Sequence, residues 1–266
     1  MYTIYDCHAH IYPQKIAVKA AGAIGDFYHV PMFGDGTPEM LLEEGKASGI
    51  SKFLVHSVAT VPHQVASING FIAREAAAHP EFIPFMTLHQ DLTAEEIDRA
   101  VCEAIDLGFK GIKLHPDFQK FAINSPEAQK MYDVVGGRLP FLLHTGDKRY
   151  DYSHPQYLAE MARKYPHTRF IGAHFGAWSC WDWGYDCYRG LDNVWFDTSS
   201  ALFWFKPEDA AVRIRDLGVE RYFFGTDYPM WSARDEVERF LALPLTEEER
   251  VKIFAANLRD FLGLVE

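Results

Sequence analysis

Two histidines one residue apart, in Tyr5-Asp6-Cys7-His8-Ala9-His10, are where this chain can begin to do chemistry. Side chains on an extended strand alternate faces, so Asp6, His8 and His10 share a side and the two imidazoles can converge on one cation. Cys7 falls on the opposite face. A His-x-His pair alone is weak evidence. Its weight comes from His115, His144, His174 and Asp227, each standing at the end of an apolar run just before a turn. The segments are Gly-Ile-Lys-Leu-His115-Pro, Phe-Leu-Leu-His144-Thr-Gly, Ile-Gly-Ala-His174-Phe-Gly and Phe-Gly-Thr-Asp227-Tyr-Pro. Imidazoles and a carboxylate gathered from several strand ends point to a metal site.

The elements that must position these residues alternate along the whole chain. Strands are expected over Thr3–His8, Lys52–Val58, Ile83–Leu88, Gly111–His115, Phe141–His144, Phe170–His174, Val194–Thr198 and Tyr222–Gly225. Their nearly continuous Ile, Val, Leu, Phe and Met suit parallel strands covered on both faces. Helices are expected between them. Thr37-Pro38-Glu39 opens one over Met40–Ala47. Thr93-Ala94-Glu95-Glu96 has capping-box spacing and opens another, to Leu107, stopped by Gly108. Ser125-Pro126-Glu127 opens the next, Ser153–Lys164, Lys206–Leu217 and Ser232–Ala242 follow, and Thr246–Leu262 ends at Gly263. Eight strand–helix repeats, with no glycine-rich dinucleotide turn or P-loop, predict an α/β fold: a (β/α)8 TIM barrel, one domain over residues 1–266. Chemistry in such a barrel sits at the C-terminal strand ends, where the histidines and Asp227 would form a ring. The segment from Tyr12 to Gly36, with a short helix around Lys15–Ala23, is long enough to act as a lid.

Bulk composition narrows the partners. The chain has 266 residues, is 48% hydrophobic and carries a formal net charge of −11. It has no run of lysines and arginines, so neither nucleic acid nor an anionic membrane is an expected partner. The first residues lack a charged signal region, and no run of 18 or more apolar residues occurs, so the expected location is the cytoplasm. The four cysteines, Cys7, Cys102, Cys180 and Cys187, make no Cys-x-x-Cys pair and no disulfide framework. Cys180 and Cys187 read as core side chains rather than zinc thiolates.

Asp6-x-His8-x-His10, His144-Thr145-Gly146, Ala173-His174-Phe175-Gly176 and Gly225-Thr226-Asp227-Tyr228-Pro229 resemble the amidohydrolase superfamily of metal-dependent hydrolases. Within it they resemble the amidohydrolase-2 branch, which also contains aromatic-acid and aminocarboxymuconate semialdehyde decarboxylases. The resemblance implies that His8, His10, His144 and Asp227 ligate a divalent metal, and that His174 is a second metal ligand or a catalytic acid/base. Neutral imidazoles with one carboxylate suit Zn²⁺, one ion per chain, with a position open to water. Such an ion lowers the pKa of bound water from about 15.7 toward 7. Asp227 and His174 are then the expected catalytic residues. Lys113 offers a branch point: carboxylated, it would bridge two metals, as in binuclear members of the superfamily; otherwise it makes an ion pair or a substrate contact. His115 stands as a metal or substrate residue beside it.

Further residues of the strand ends could shape a substrate site. Arg149 can hold a carboxylate through two parallel hydrogen bonds. Trp178, Trp181 and Trp183 crowd the loop after strand six, a wall for a planar substrate or a subunit contact. Asp197, His56 and His89 read as supporting groups. The expected partner is a small molecule, and a homo-oligomer is the protein partner the tryptophan-rich loop allows. The function expected is a metal-dependent hydrolase using activated water on a small amide, ester or lactone. The alternative is a nonoxidative decarboxylase of a small aromatic or unsaturated acid, toward which Arg149 and the tryptophans lean.

Overall fold

The computed structural model describes residues 2–265. Its strands are β1 (Ile4–His10), β2 (Ile50–His56), β3 (Phe82–Thr87), β4 (Gly111–Leu114), β5 (Phe141–Leu143), β6 (Phe170–Gly172), β7 (Val194–Asp197) and β8 (Tyr222–Phe223). They belong to one eight-stranded sheet in the order β1 to β8, with helical segments between consecutive strands. This is the (β/α)8 class that the alternation predicts. Every residue of β3, β4, β5 and β6 is buried, as near-continuous apolar strands require when both faces are covered. Among the described residues no helix is long and apolar enough to cross a membrane.

The chain forms two compact units. The first comprises Met1–His56, His79–Ile83 and Asp197–Glu266. Here β1 pairs in parallel with β2, bringing His10 opposite His56, with an irregular register between Asp6 and Ala9. On its other side β1 meets the chain after β8: the Cys7 amide donates to the Phe224 carbonyl at 2.8 Å and the His10 amide to that of Tyr228 at 2.7 Å. The helix Pro38–Ser48 begins as expected, with the Thr37 hydroxyl accepting from the Met40 amide at 3.3 Å. It lies so close to β2 that a Cβ on Gly45 would come within 1.9 Å of the Phe53 ring. The expected C-terminal helix is interrupted by a π turn at Lys252–Ala256, and the Ile253 carbonyl accepts from the Phe224 amide at 2.9 Å. A carbonyl released by the wider turn thus anchors the strand that leads to Asp227.

The segment from Tyr12 to Gly36 is more regular than its sequence suggests. Its helix runs over Ala17–Tyr28, and the stretch beyond is fastened to the turn after β8. The Phe33 and Gly34 amides donate to the Met230 and Pro229 carbonyls at 3.3 and 2.9 Å, and the Tyr228 hydroxyl to the Thr37 carbonyl at 3.0 Å.

The second unit comprises Ser57–Ala78 and Pro84–Phe196. Its strands pair in parallel from β3 through β7. Tyr132 packs edge-on to Phe141 and Phe170, with ring centres 5.0 and 5.4 Å away. The capping box at Thr93 and Glu96 forms as predicted. The helix expected from Ser153 starts instead at Pro155, with His154 as its cap, because proline at the first helical position fixes the entry point. Gln119 ties the turns after β2, β3 and β4: its amide donates to the Ala59 and Leu88 carbonyls at 3.0 and 2.8 Å and its oxygen accepts from the His115 amide at 2.9 Å.

Candidate metal centre and acid–base residues

In the first unit β1, the end of β7 and the turn after β8 bring His8, His10, Asp197 and Asp227 together. The Nε2 atoms of His8 and His10 lie 3.4 and 3.6 Å from Asp227 Oδ1. These separations are too long for good hydrogen bonds. They are close to the edge of a tetrahedron of donors about 2.1 Å from a central ion, which is about 3.4 Å. The other ring nitrogen of His8, Nδ1, lies 2.8 Å from Asp197 Oδ2. A carboxylate on Nδ1 keeps the proton there and leaves the Nε2 lone pair for an ion. Two imidazoles and a carboxylate, backed by a second carboxylate, therefore fit a divalent cation. Asp197 is itself held, its Oδ1 accepting from the Ser199 hydroxyl at 2.6 Å.

His56 joins this group: its ring stands edge-on to His8 and His10, with centres 4.9 and 4.4 Å away. Ring nitrogens of the three histidines approach within 4.8 Å of one another. Pairing of β1 with β2 explains this, since His10 and His56 are register partners. Asp6 plays a different part from the one its position suggests. It is fully buried and accepts from the Thr226 hydroxyl at 2.6 Å and from the Thr226 and His8 amides at 2.9 and 3.0 Å. It ties β1 to the turn that carries Asp227. Burial, with the Asp197 carboxylate nearby, pushes its pKa up to about 7.

Asp227 is placed by a strained turn. Its φ is +61°, a region in which Asp is among the better tolerated residues, and its amide donates to the His8 carbonyl at 2.8 Å. The Ser200 hydroxyl donates to Asp227 Oδ2, leaving Oδ1 toward the imidazoles.

The second unit supplies further titratable side chains. His144 and His174 follow β5 and β6, and His174 Nε2 lies 3.1 Å from His144 Nδ1, so one ring donates and the other accepts. His174 has φ +60°, and its carbonyl accepts from the Trp181 indole at 3.0 Å. Asp117, in the turn after β4, brings Oδ2 within 3.7 Å of His144 Nε2. Burial, with Asp147 adding to it, pushes the Asp117 pKa up to about 7. Ligand atoms of Asp117, His144 and Asp147 come within 4.8 Å of one another. Asp147, however, is gripped by Arg149, whose Nε and terminal nitrogen approach Oδ1 and Oδ2 at 3.0 and 2.8 Å. The Arg149 guanidinium lies 5.8 Å from the Trp178 ring centre, and the Trp178 and His144 rings are 6.0 Å apart.

The remaining predicted residues have clear surroundings. His115 lies between Phe118 and His144, with ring centres 3.8 and 4.1 Å away, and its Nδ1 accepts from the Phe118 amide at 3.3 Å. It thereby caps the short helix Pro116–Gln119. Lys113 is fully buried in β4, opposite Thr87 and Leu142. His89 Nδ1 accepts from the Asp91 amide at 3.2 Å, as a turn residue. Cys7 and Cys180 are buried, and the Cys187 thiol donates to the Gly184 carbonyl at 2.9 Å. The sequence does not single out Asp117, and it offers Ser200 only as a hydroxyl at the end of strand seven. Asp117 follows His115-Pro116 directly, and that proximity to a strand end was the available signal.

The family model described as amidohydrolase matches residues 5–264. A search of curated proteins finds no match. Solved structures share the fold. An uncharacterized TIM-barrel protein from Bordetella bronchiseptica is 19% identical, with 98% of each chain covered and a TM-score of 0.79. A 2,6-dihydroxybenzoate decarboxylase from Rhizobium is 20% identical, with 99% of each chain covered and a TM-score of 0.73. A 5-carboxyvanillate decarboxylase from Novosphingobium aromaticivorans, complexed with manganese and 4-hydroxy-3-methoxy-5-nitrobenzoic acid, is 15% identical over 99% of this chain and 96% of its own, with a TM-score of 0.77.

Proposed function

The chain belongs to the amidohydrolase family, and from that premise we propose that it is a divalent-metal-dependent, nonoxidative decarboxylase of a small aromatic or unsaturated carboxylic acid. The observation that carries the metal dependence is the donor trio of His8, His10 and Asp227, spaced 3.4 and 3.6 Å and backed by Asp197. Two features support decarboxylation over hydrolysis of an amide, ester or lactone. Trp178 sets an aromatic face beside the Arg149–Asp147 pair, which suits a planar substrate. Several solved structures of the same fold are aromatic-acid decarboxylases. In this proposal His144 keeps the ligand role that the resemblance gives it.

A bound divalent cation would supply Lewis-acid polarisation of substrate oxygens. As the bond to the carboxyl carbon breaks, its electron pair stays on the substrate carbon, which must take a proton as CO2 leaves. Asp227 and His174 are the groups proposed to carry that proton. Two imidazoles and a carboxylate accept zinc and manganese alike, so reconstitution with each identifies the working ion.

The test is a panel of hydroxybenzoic and unsaturated acids beside amides and lactones, run with zinc or manganese and followed by CO2 release and product chromatography. Loss of CO2 from an acid, with turnover in Asp227→Asn reduced by about 10²-fold or more, is the expected outcome. Turnover of amides or lactones with no CO2 from any acid would return the chain to hydrolysis.

A further inference from the structure

Asp227 has two oxygens, and only one of them faces His8 and His10. The group at the other oxygen forms a chain whose direction chemistry fixes. The Trp231 indole nitrogen lies 2.7 Å from Ser200 Oγ, and Ser200 Oγ is within hydrogen-bond distance of Asp227 Oδ2. An indole N–H can only donate. Ser200 therefore accepts from Trp231 and turns its single proton outward. Met230 Sδ lies 3.5 Å away and is a weak acceptor, so the carboxylate takes the proton.

From this we infer that Ser200 and Trp231 are positioning residues for Asp227: they hold its Oδ2 so that Oδ1 alone is presented to the divalent cation, and they make Trp231 responsive to that cation. The inference rests on the metal reading above and deepens it.

The pair is built into its place rather than met by chance. Ser200 is buried and adopts φ +48°, a conformation with a steric cost for a residue that has a Cβ. Trp231 packs against Phe203, ring centres 4.9 Å apart, and the Arg239 guanidinium lies 5.4 Å from the Trp231 ring centre. Arg239 is in turn paired with Glu236, which is fully buried. A buried carboxyl group, a guanidinium and an aromatic ring thus fix the indole that orients Ser200.

A carboxylate restrained at one oxygen loses less freedom when the other engages an ion, and groups that orient metal ligands typically account for 10- to 100-fold in metal affinity. The experiment is calorimetric titration of the metal-stripped full chain with Mn²⁺, for the wild type and for Ser200→Ala, Ser200→Gly, Trp231→Phe and His8→Ala. Circular dichroism melting checks the fold of each. Ser200→Gly relieves the backbone strain while also removing the hydroxyl, so it separates the two effects. The expected result is an affinity at least about tenfold lower in both Ser200 variants. Tryptophan emission should change as Mn²⁺ is added to the wild type, and Trp231→Phe should remove that change. Wild-type affinity within twofold in both Ser200 variants, with binding lost in His8→Ala, would overturn the positioning pair and leave the metal centre standing. Absence of binding in the wild type, or full binding in His8→Ala, would overturn both.

Discussion

Asp197 stands behind a candidate metal ligand. Its Oδ2 holds His8 Nδ1 at 2.8 Å in a fully buried setting. Asp197→Asn keeps the shape but can donate to the ring nitrogen, which favours the tautomer with its proton on Nε2. Mn²⁺ or Zn²⁺ affinity should then fall 10- to 100-fold in a calorimetric titration; an unchanged affinity would show that His8 is oriented by other contacts. The sequence made His8, His10 and Asp227 legible because strand ends mark themselves as the last polar residue after an apolar run. It leaves the roles of Ser200 and Trp231 unmarked. Their roles depend on a left-handed backbone at Ser200 and on which turn the indole reaches, and neither leaves a pattern in neighbouring residues. Asp117 is harder to read because it lies two residues past His115, inside the short helix rather than at the strand end.

At the level of elements, local grammar carried most of the fold. All eight strands and the caps at Thr37, Thr93, Ser125, Ser232 and Thr246 stand within a few residues of where apolar runs and capping residues place them. The π turn at Lys252–Ala256 was illegible, because it depends on the Phe224 amide needing an acceptor. Gly45 was equally silent, a glycine in mid-helix whose reason is the Phe53 ring beneath it. Alanine there would gain about 0.5–1 kcal/mol of helix preference. It would lose about 1–3 kcal/mol by overpacking. Gly45→Ala should therefore lower the urea midpoint despite the better helix former, and Gly45→Ala with Phe53→Leu should recover part of the loss. A midpoint raised in the single variant would mean that the helix can shift away from β2 without cost.

For the molecule as a whole, net charge of −11 and a buried acid together set how stability responds to pH. Glu236 is fully buried, and burial pushes its pKa up to about 8 although Arg239 pulls the other way. The unfolded chain ionises this carboxyl near 4.5, and the folded chain near 8. Between those values unfolding releases a proton, so the contribution of Glu236 to stability falls as pH rises through the window and levels off above it. Glu236→Gln cannot ionise. Denaturant unfolding of the variant and the wild type from pH 5 to 9 should show the difference moving steadily in favour of the variant; a difference constant across that range would place the folded-state ionisation elsewhere.

The left-handed backbone has a consequence for what selection can reach. His174, Phe175, Ser200 and Asp227 hold positive φ in the turns after β6, β7 and β8, whereas His29 and Lys120 do so at exposed helix ends. Glycine at any of these positions relieves about 1 kcal/mol or more of steric cost. A laboratory lineage screened for heat resistance alone should collect glycines first at the exposed helix ends, and reach the strand-end turns only where the buried side chain it loses contributes less than the strain it relieves. A lineage screened for heat resistance and turnover together should accept glycine at His29 and Lys120 and refuse it at His174, Ser200 and Asp227. The positions where the two lineages part would mark the residues the reaction depends on, before any substrate pose has been seen.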